Sequence, residues 1–239
     1  FINNKTGWIC GADNTILKTT DSGETWNKIL LLGSTEKINV GIHFVNEING
    51  CISNNNGEIL KSNDGGINWQ VIKHNNVGGA RIAMFDENTI YFLSGKLYRT
   101  YNSGLSWDSL YVLSPNNYRN DGMFFNNPKN GYITTANGTG GMIISEYPIM
   151  ITKNCGSTWQ ASEYIKSESN GFRCVFFTDE KKGWVAGRDI YKTTDGGESW
   201  ILDYSTENGT IGAKDMFFIN EKLGWLINWD GQIYKYVSN

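Results

Sequence analysis

Apolar residues in this chain fall in short runs, bounded by turn-forming residues, that return at a steady interval. A unit of the pattern opens with an apolar stretch such as "DMFFI" (215–219). A second such as "GWVAG" (183–187) follows, then a tight turn and a third such as "IYKTT" (190–194). An Asp/Asn-Gly turn leads into a fourth that begins at Trp. Short apolar runs between Gly, Asn and Asp predict strands, and strands so close in sequence pair antiparallel. No apolar run approaches the roughly 20 residues that span a bilayer as a helix. The longest candidate, "ILLLG" from Ile29, is strand-sized.

The turn before the fourth stretch is spelled nearly the same way five times. Ser/Thr-x-Asp/Asn-x-Gly-x-x-Trp occurs as "TTDSGETW" (19–26), "SNDGGINW" (62–69), "TYNSGLSW" (100–107), "TKNCGSTW" (152–159) and "TTDGGESW" (193–200). The Trp-to-Trp spacings are 43, 38, 52 and 41 residues. Upstream, a Phe is followed seven residues later by a large or buried residue. The pairs are Phe1–Trp8, Phe44–Cys51, Phe85–Phe92, Phe125–Tyr132, Phe177–Trp184 and Phe218–Trp225, and only Cys51 breaks the aromatic rule. The two patterns account for eight of the nine Trp and leave Trp229 outside.

Four short antiparallel strands per roughly 40 residues make the blade of a β-propeller. The expectation is an all-β chain, one propeller domain over 1–239, with no helix beyond single turns. Its blades are 1–39, 40–80, 81–120, 121–171, 172–212 and 213–239. The first strand of each blade is apolar on both faces, as in Ile42, His43 and Phe44, and is expected to be buried near the centre.

The Ser/Thr-x-Asp-x-Gly-x-x-Trp phrase resembles the Asp box, or bacterial neuraminidase repeat. The fuller "GW..G…I.KTTD.GE.W" pattern is most similar to the photosystem II stability/assembly factor-like propellers. Sortilin-type receptors, sialidases and some xyloglucan-active glycosidases share the box more distantly. The resemblance covers essentially the whole chain. It implies the propeller fold, and a non-enzymatic module that presents loops to a protein or peptide. Relatives with seven blades stand beside the six repeats visible here.

The repeated acid has a structural task. Asp21, Asp64 and Asp195 can accept backbone N–H groups of the following turn, and the Gly two residues on takes a conformation no side chain suits. Asn102 and Asn154 fill the same place, which a general base could not yield to an amide. Trp26, Trp69, Trp107, Trp159 and Trp200 cover the hairpins. The resemblance puts these turns at the periphery. At the ends, Phe1 aligns with Phe218 and Ser238 with Asp195. An upstream segment of roughly 20 residues, about half a repeat, is therefore expected to complete the first and last blades.

Composition narrows the partners. A formal charge of −3, with no basic run, disfavours nucleic acid. No motif calls for a cofactor. Cys10, Cys51, Cys155 and Cys174 follow no zinc spacing, and read as small buried residues or as one or two disulfides. The resemblance, with Asn-, Lys- and Ile-rich usage, implies an extracytoplasmic bacterial protein with a signal peptide upstream.

Sequence variation concentrates opposite the Asp boxes. The insertion "NGTGGMIISEYP" (137–148), with Glu146 and Tyr147, lies there, as do segment 114–122 and Trp229 in the turn "NWDGQ". Trp229 is either a binding platform or packs on a neighbouring loop. Four residues before each inner-strand Phe stand Val40, Arg81, Asp121, Arg173 and Lys214. Arg81, Arg173 and Lys214 facing Asp121 form either an ordinary solvated rim or a site for an acidic protein segment. The alternative is a carbohydrate-active propeller of sialidase or glycosidase type, with a glycan partner. It would rest on Asp121 and Asp215 as the only inner-strand carboxylates, and on Arg81, Arg119 and Arg173 for a substrate carboxylate. His43 and His74 make no triad, and His43 is expected inside an inner strand.

Overall fold

The computed structural model describes residues 1–30, 37–74, 81–110, 119–136, 145–167, 171–205 and 211–237; these hold strands and turns and no helix. They fall into two compact units, Phe1–Tyr111 and Val112–Asn239. In the first unit, β1 (Gly7–Cys10), β2 (Thr15–Thr19) and β3 (Asn27–Leu30) form a three-stranded sheet. Next come two four-stranded sheets. One is β4 (Asn39–Phe44), β5 (Gly50–Asn54), β6 (Glu58–Ser62) and β7 (Gln70–His74). The other is β8 (Arg81–Met84), β9 (Ile90–Ser94), β10 (Lys96–Thr100) and β11 (Asp108–Leu110).

The second unit opens with β12 (Arg119–Phe125), β13 (Gly131–Ala136), β14 (Ser145–Tyr147), β15 (Met150–Thr152), β16 (Gln160–Ala161) and β17 (Ile165–Ser167). Here β12, β13, β15 and β16 make the sheet, while β14 pairs with β17 as a separate two-stranded ribbon. The ribbon is what the insertion builds, and its residues 137–144 lie outside the described ones. A four-stranded sheet follows: β18 (Cys174–Phe177), β19 (Gly183–Ala186), β20 (Ile190–Thr193) and β21 (Ile201–Tyr204). The last sheet has three strands, β22 (Ala213–Asn220), β23 (Leu223–Asn228) and β24 (Ile233–Val237). All six sheets run antiparallel in sequence order and are six β-propeller blades, three in each unit.

Three of the joints within the units share one aromatic arrangement. Trp8 of blade 1 stacks on Phe44 of blade 2, with ring centroids 3.7 Å apart. Tyr132 stacks on Phe177 at 3.8 Å and Trp184 on Phe218 at 4.0 Å. Each of these Phe rings lies on a glycine of its own blade's second strand. A Cβ on Gly50, Gly183 or Gly224 would come within 2.5 Å of Phe44, Phe177 or Phe218. The Asp-box Trp then meets the Phe edge-on, at 5.8 Å for Phe44–Trp69 and 6.0 Å for Phe177–Trp200. T-shaped pairs of this kind gain about 0.5–1.5 kcal/mol beyond their burial.

Blade 3 corrects the sequence alignment by one residue. Met84 pairs with Ile90 as Phe44 pairs with Gly50 and Phe177 with Gly183. The position equivalent to Phe44 is therefore Met84, not Phe85, and the equivalent of Trp8 is Tyr91, not Phe92. At the joint between blades 2 and 3 the large–large–glycine trio becomes Cys51, Met84 and Ile90. These three are packed in one cluster at 0%, 1% and 0% exposure. Volume is redistributed instead of lost, which is how cores tolerate substitution. His43 lies beside this joint, and its Nδ1 accepts the Met84 N–H at 3.2 Å. Burial pushes its pKa down to about 4.

The strand buried on both faces is the second of each four-stranded blade, not the first. All residues of β5, β9, β13 and β19 are buried, whereas β4 and β8 are partly exposed. A second strand has a hydrogen-bonded neighbour on each edge as well as a blade on each face; a first strand has one edge open. All four cysteines are free thiols; Cys51 and Cys174 are buried, as small apolar residues would be, and Cys10 and Cys155 are half-buried.

The glycine seat predicts a contrast. Gly183→Ala places a methyl against Phe177, which is 3% exposed and held between Tyr132 and Gly183. It should cost about 1–3 kcal/mol in chemical unfolding, as overpacking does. A Cβ at Gly11 meets nothing within 4 Å. Gly11→Ala should change stability by less than about 0.5 kcal/mol.

Candidate functional site

The five Asp boxes share one hydrogen-bond circuit. In the last, Thr193 Oγ1 donates to Asp195 Oδ1 at 2.7 Å and accepts the Gly197 N–H at 3.0 Å. Asp195 Oδ1 accepts the Ser199 N–H at 3.1 Å, and Trp200 Nε1 donates to the Gly197 carbonyl at 3.0 Å. Asn154 repeats the scheme, accepting the Thr158 N–H at 2.9 Å and donating its amide to Thr158 Oγ1 at 2.8 Å. The φ angle is 81° at Gly196 and 89° at Gly197, the left-handed region that favours glycine. Hydrogen bonds, first that from Thr19, hold the Asp21 carboxyl down at about 2. At Asp195 burial works the other way, and the bonds from Ser199 and Thr193 outweigh it, again to about 2. These carboxylates are turn staples with their oxygens occupied.

A different group assembles in the second unit. Asp121 lies in β12, Arg173 just before β18, Lys214 in β22 and Trp229 in the turn after β23. Arg173 Nη1 bonds Asp121 Oδ2 at 3.2 Å, with side-chain exposures of 34% and 16%, so the cation stands further out than its partner. Arg173 Cζ lies 5.4 Å from the Trp229 ring centroid and Lys214 Nζ lies 5.3 Å from it. Trp229 itself is 60% exposed. Asp121 and Lys214 both sit at β-bulges, between Asn120 and Met123 and between Ala213 and Asp215. Bulges re-aim side chains in this way. Gly122 lets the neighbouring strand approach, since a Cβ there would come 2.6 Å from the Arg173 carbonyl oxygen.

The turn beneath Trp229 has a scaffold counterpart. Asn228 Oδ1 accepts the N–H groups of Asp230 and Gln232 at 3.1 and 2.8 Å. Asn54 Oδ1 accepts those of Asn56 and Glu58, both at 3.0 Å. Position 229 therefore corresponds to Asn55. There the side chain accepts the Ile38 N–H at 2.9 Å and the backbone N–H reaches Ile38 O at 2.9 Å. Trp229 keeps the equivalent backbone bond, to Gly212 O at 3.2 Å, and gives up the side-chain one. Its indole is not a part the turn requires.

The remaining sequence candidates separate. Arg81 belongs to the first unit and, by the corrected register, stands one position beyond the Arg173 equivalent. Val40, also in the first unit, is 42% exposed. Tyr147 is fully buried and packs edge-on to Phe172 in the core of the second unit, so it is no surface contact. Glu146 is exposed on the ribbon, across from Lys166. Asp215 is exposed, and its Oδ1 accepts the Met216 N–H at 2.9 Å. The side chains of His74 and Arg119, and residues 114–118, lie outside the described ones. A groove of about 700 Å³, lined among others by Trp69, Ile72 and Leu105, lies in the first unit and contains none of these candidates.

Comparison with known proteins identifies the family. The family model described as photosynthesis system II assembly factor YCF48 matches residues 1–237. The chain belongs to that family. Among curated YCF48-type relatives, the chloroplastic photosystem II stability/assembly factor HCF136 of Arabidopsis thaliana is 24% identical over 98% of this chain and 62% of its own. The photosystem II assembly lipoprotein Ycf48 of Synechococcus sp. (strain CC9902) is 22% identical over 82% of this chain and 58% of its own. The chain thus spans about three fifths of the curated relatives it matches. A solved structure of YCF48 bound to D1 peptide shares the fold at TM-score 0.58 and 19% identity, covering 100% of this chain and 92% of that one. The GH74 enzyme of Niastella koreensis shares it at TM-score 0.66 and 17% identity, over 92% of this chain and 40% of that one.

The staple assignment has a direct test. Asp195→Ala should lower stability by about 1–2 kcal/mol, while Asp195→Asn should retain most of it, as Asn154 does. Because the folded carboxyls of Asp21 and Asp195 titrate near 2, below the ordinary value, their contribution is complete above about pH 4 and is lost as pH falls toward 2. Thermal unfolding at pH 7 and pH 3 checks both, since the Asp195→Ala deficit should shrink at the lower pH.

Proposed function

We propose that this chain is a non-catalytic scaffold that binds an acidic protein segment at the Arg173–Trp229–Lys214 group. The observation that carries the reading is the exposed indole flanked by two cations, at a turn position where Trp229 keeps the backbone bond and its side chain gives up the scaffold one. A cation held against an aromatic face is pre-positioned and loses less freedom when it meets an anion. Arg173 can offer a carboxylate two parallel N–H groups while Asp121 orients it from the other side of the pair. That YCF48 has been solved with a D1 peptide bound supports a peptide as the ligand class. The same family relationship supports a protein handled during assembly of a larger complex as the source of that segment.

The carbohydrate-active alternative finds less support. Asp121 is engaged with Arg173, and Asp215 with its own backbone neighbour. An extracytoplasmic site of action goes with this reading; one relative is named a lipoprotein and the other chloroplastic.

Calorimetric titration of the chain with a short acidic peptide tests the proposal. Arg173→Glu together with Lys214→Glu should weaken binding at least ~10-fold at low ionic strength. The difference should narrow in about 0.5 M salt as screening takes over. Unchanged binding in the double variant contradicts the site. Turnover of a sialoside or xyloglucan by the purified chain, lost on Asp121→Asn or Asp215→Asn, contradicts the class.

A further inference from the structure

Two cations gathered on one indole bear on what kind of acidic segment fits. We infer that the Trp229 group selects a segment carrying two acidic side chains in alternate positions, acid–x–acid, in an extended conformation, with Trp229 as the residue that sets the spacing. The inference rests on the peptide-binding reading above and narrows its ligand.

Arg173 and Lys214 come from different blades, one ahead of β18 and the other within β22. Both cations lie within 5.4 Å of the same ring centroid. They are therefore less than about 11 Å apart, gathered on one ring. In an extended peptide, residues i and i+2 project from the same face about 7 Å apart, whereas i and i+1 project from opposite faces. Of these two arrangements, the alternate one presents both carboxylates to the pair of cations at once. Adjacent acids present one and turn the other away.

The local anions do not abolish the site. Asp121 is the less exposed member of its pair with Arg173, and Asp215 has one oxygen on the Met216 N–H. Among acidic segments of equal charge, the site therefore cannot discriminate by net charge. It selects on where the cations stand, and the indole decides that. Among the described turns of this type, the Asn54–Glu58 turn puts Asn55 at the equivalent position. It is an amide committed to the backbone, and offers cations no such surface.

The test uses two isomeric synthetic peptides of equal charge, one with Glu-Ser-Glu and one with Glu-Glu-Ser in the same neutral flanks. On the wild-type chain the alternate isomer should bind about tenfold tighter. Trp229→Leu should reduce that preference to twofold or less, and Trp229→Phe should keep most of it, because a smaller ring still carries both cations. Thermal melting of the variants separates loss of fold from loss of selectivity. If Trp229→Leu fails to fold, the isomer ratio on wild type and the Phe variant decide. Equal binding of the isomers to wild type overturns the inference and leaves the acidic-peptide reading standing. A Leu variant that folds and keeps the full preference also overturns it. Binding of neither isomer removes the peptide reading itself.

Discussion

Three blade joints are held by a phenylalanine ring clamped between an aromatic face of the preceding blade and a bare backbone of its own. The clamp needs three residues together. The ring must be flat, the preceding blade must supply a flat partner, and the residue beneath must have no Cβ. Trp8–Phe44–Gly50, Tyr132–Phe177–Gly183 and Trp184–Phe218–Gly224 satisfy this. The Asp box completes it from outside. In blade 2, Trp8 Nε1 donates to Gly65 O at 3.1 Å, and a Cβ on Gly66 would lie 3.3 Å from both Trp8 and Phe44. The box glycine therefore answers to packing as well as to backbone conformation, and the Asp holds it there.

This dependence explains what the sequence displays and what it hides. The Asp box is legible because its circuit is local: Ser/Thr, Asp/Asn, Gly and Trp interact within eight consecutive residues, so the spacing is fixed. The Phe-to-aromatic interval is legible for the same reason in most blades. It misleads in blade 3, where residue type suggests Phe85 and Phe92 while strand register selects Met84 and Tyr91. The turn residue could have given this away. Asp86 accepts the N–H groups of Asn88 and Thr89 just as Asn46 does for Ile48 and Asn49, and each lies two residues after the clamped position. Counting from that staple gives Met84.

The site is less legible because it depends on contacts between blades. Arg173, Lys214 and Asp121 share a register position, and that much is sequence information. The approach of Arg173 and Lys214 to Trp229, and of Asp121 to Arg173, goes with bulges and with the close approach at Gly122, which no spacing records. Tyr147 shows the opposite error. It lies in an insertion, where surface residues are expected, yet β14 returns to pair with β17 and carries it into the core. Arg173 and Lys214 come from separate blades, so the group on the exposed indole exists only once those blades pack together.

The most direct test of the clamp is to move the natural exception to another joint. Cys51, Met84 and Ile90 fill the blade 2–3 joint without an aromatic face or a glycine. The triple variant Tyr132→Cys, Phe177→Met, Gly183→Ile installs the same set between blades 4 and 5, and guanidinium unfolding measures its stability against each single variant. The clamp predicts that Gly183→Ile alone is the most damaging change, and that the triple variant is more stable than that single variant by at least about 1 kcal/mol, the scale of coupling between touching residues. A triple variant that loses the sum of the three single losses, or more, would contradict it.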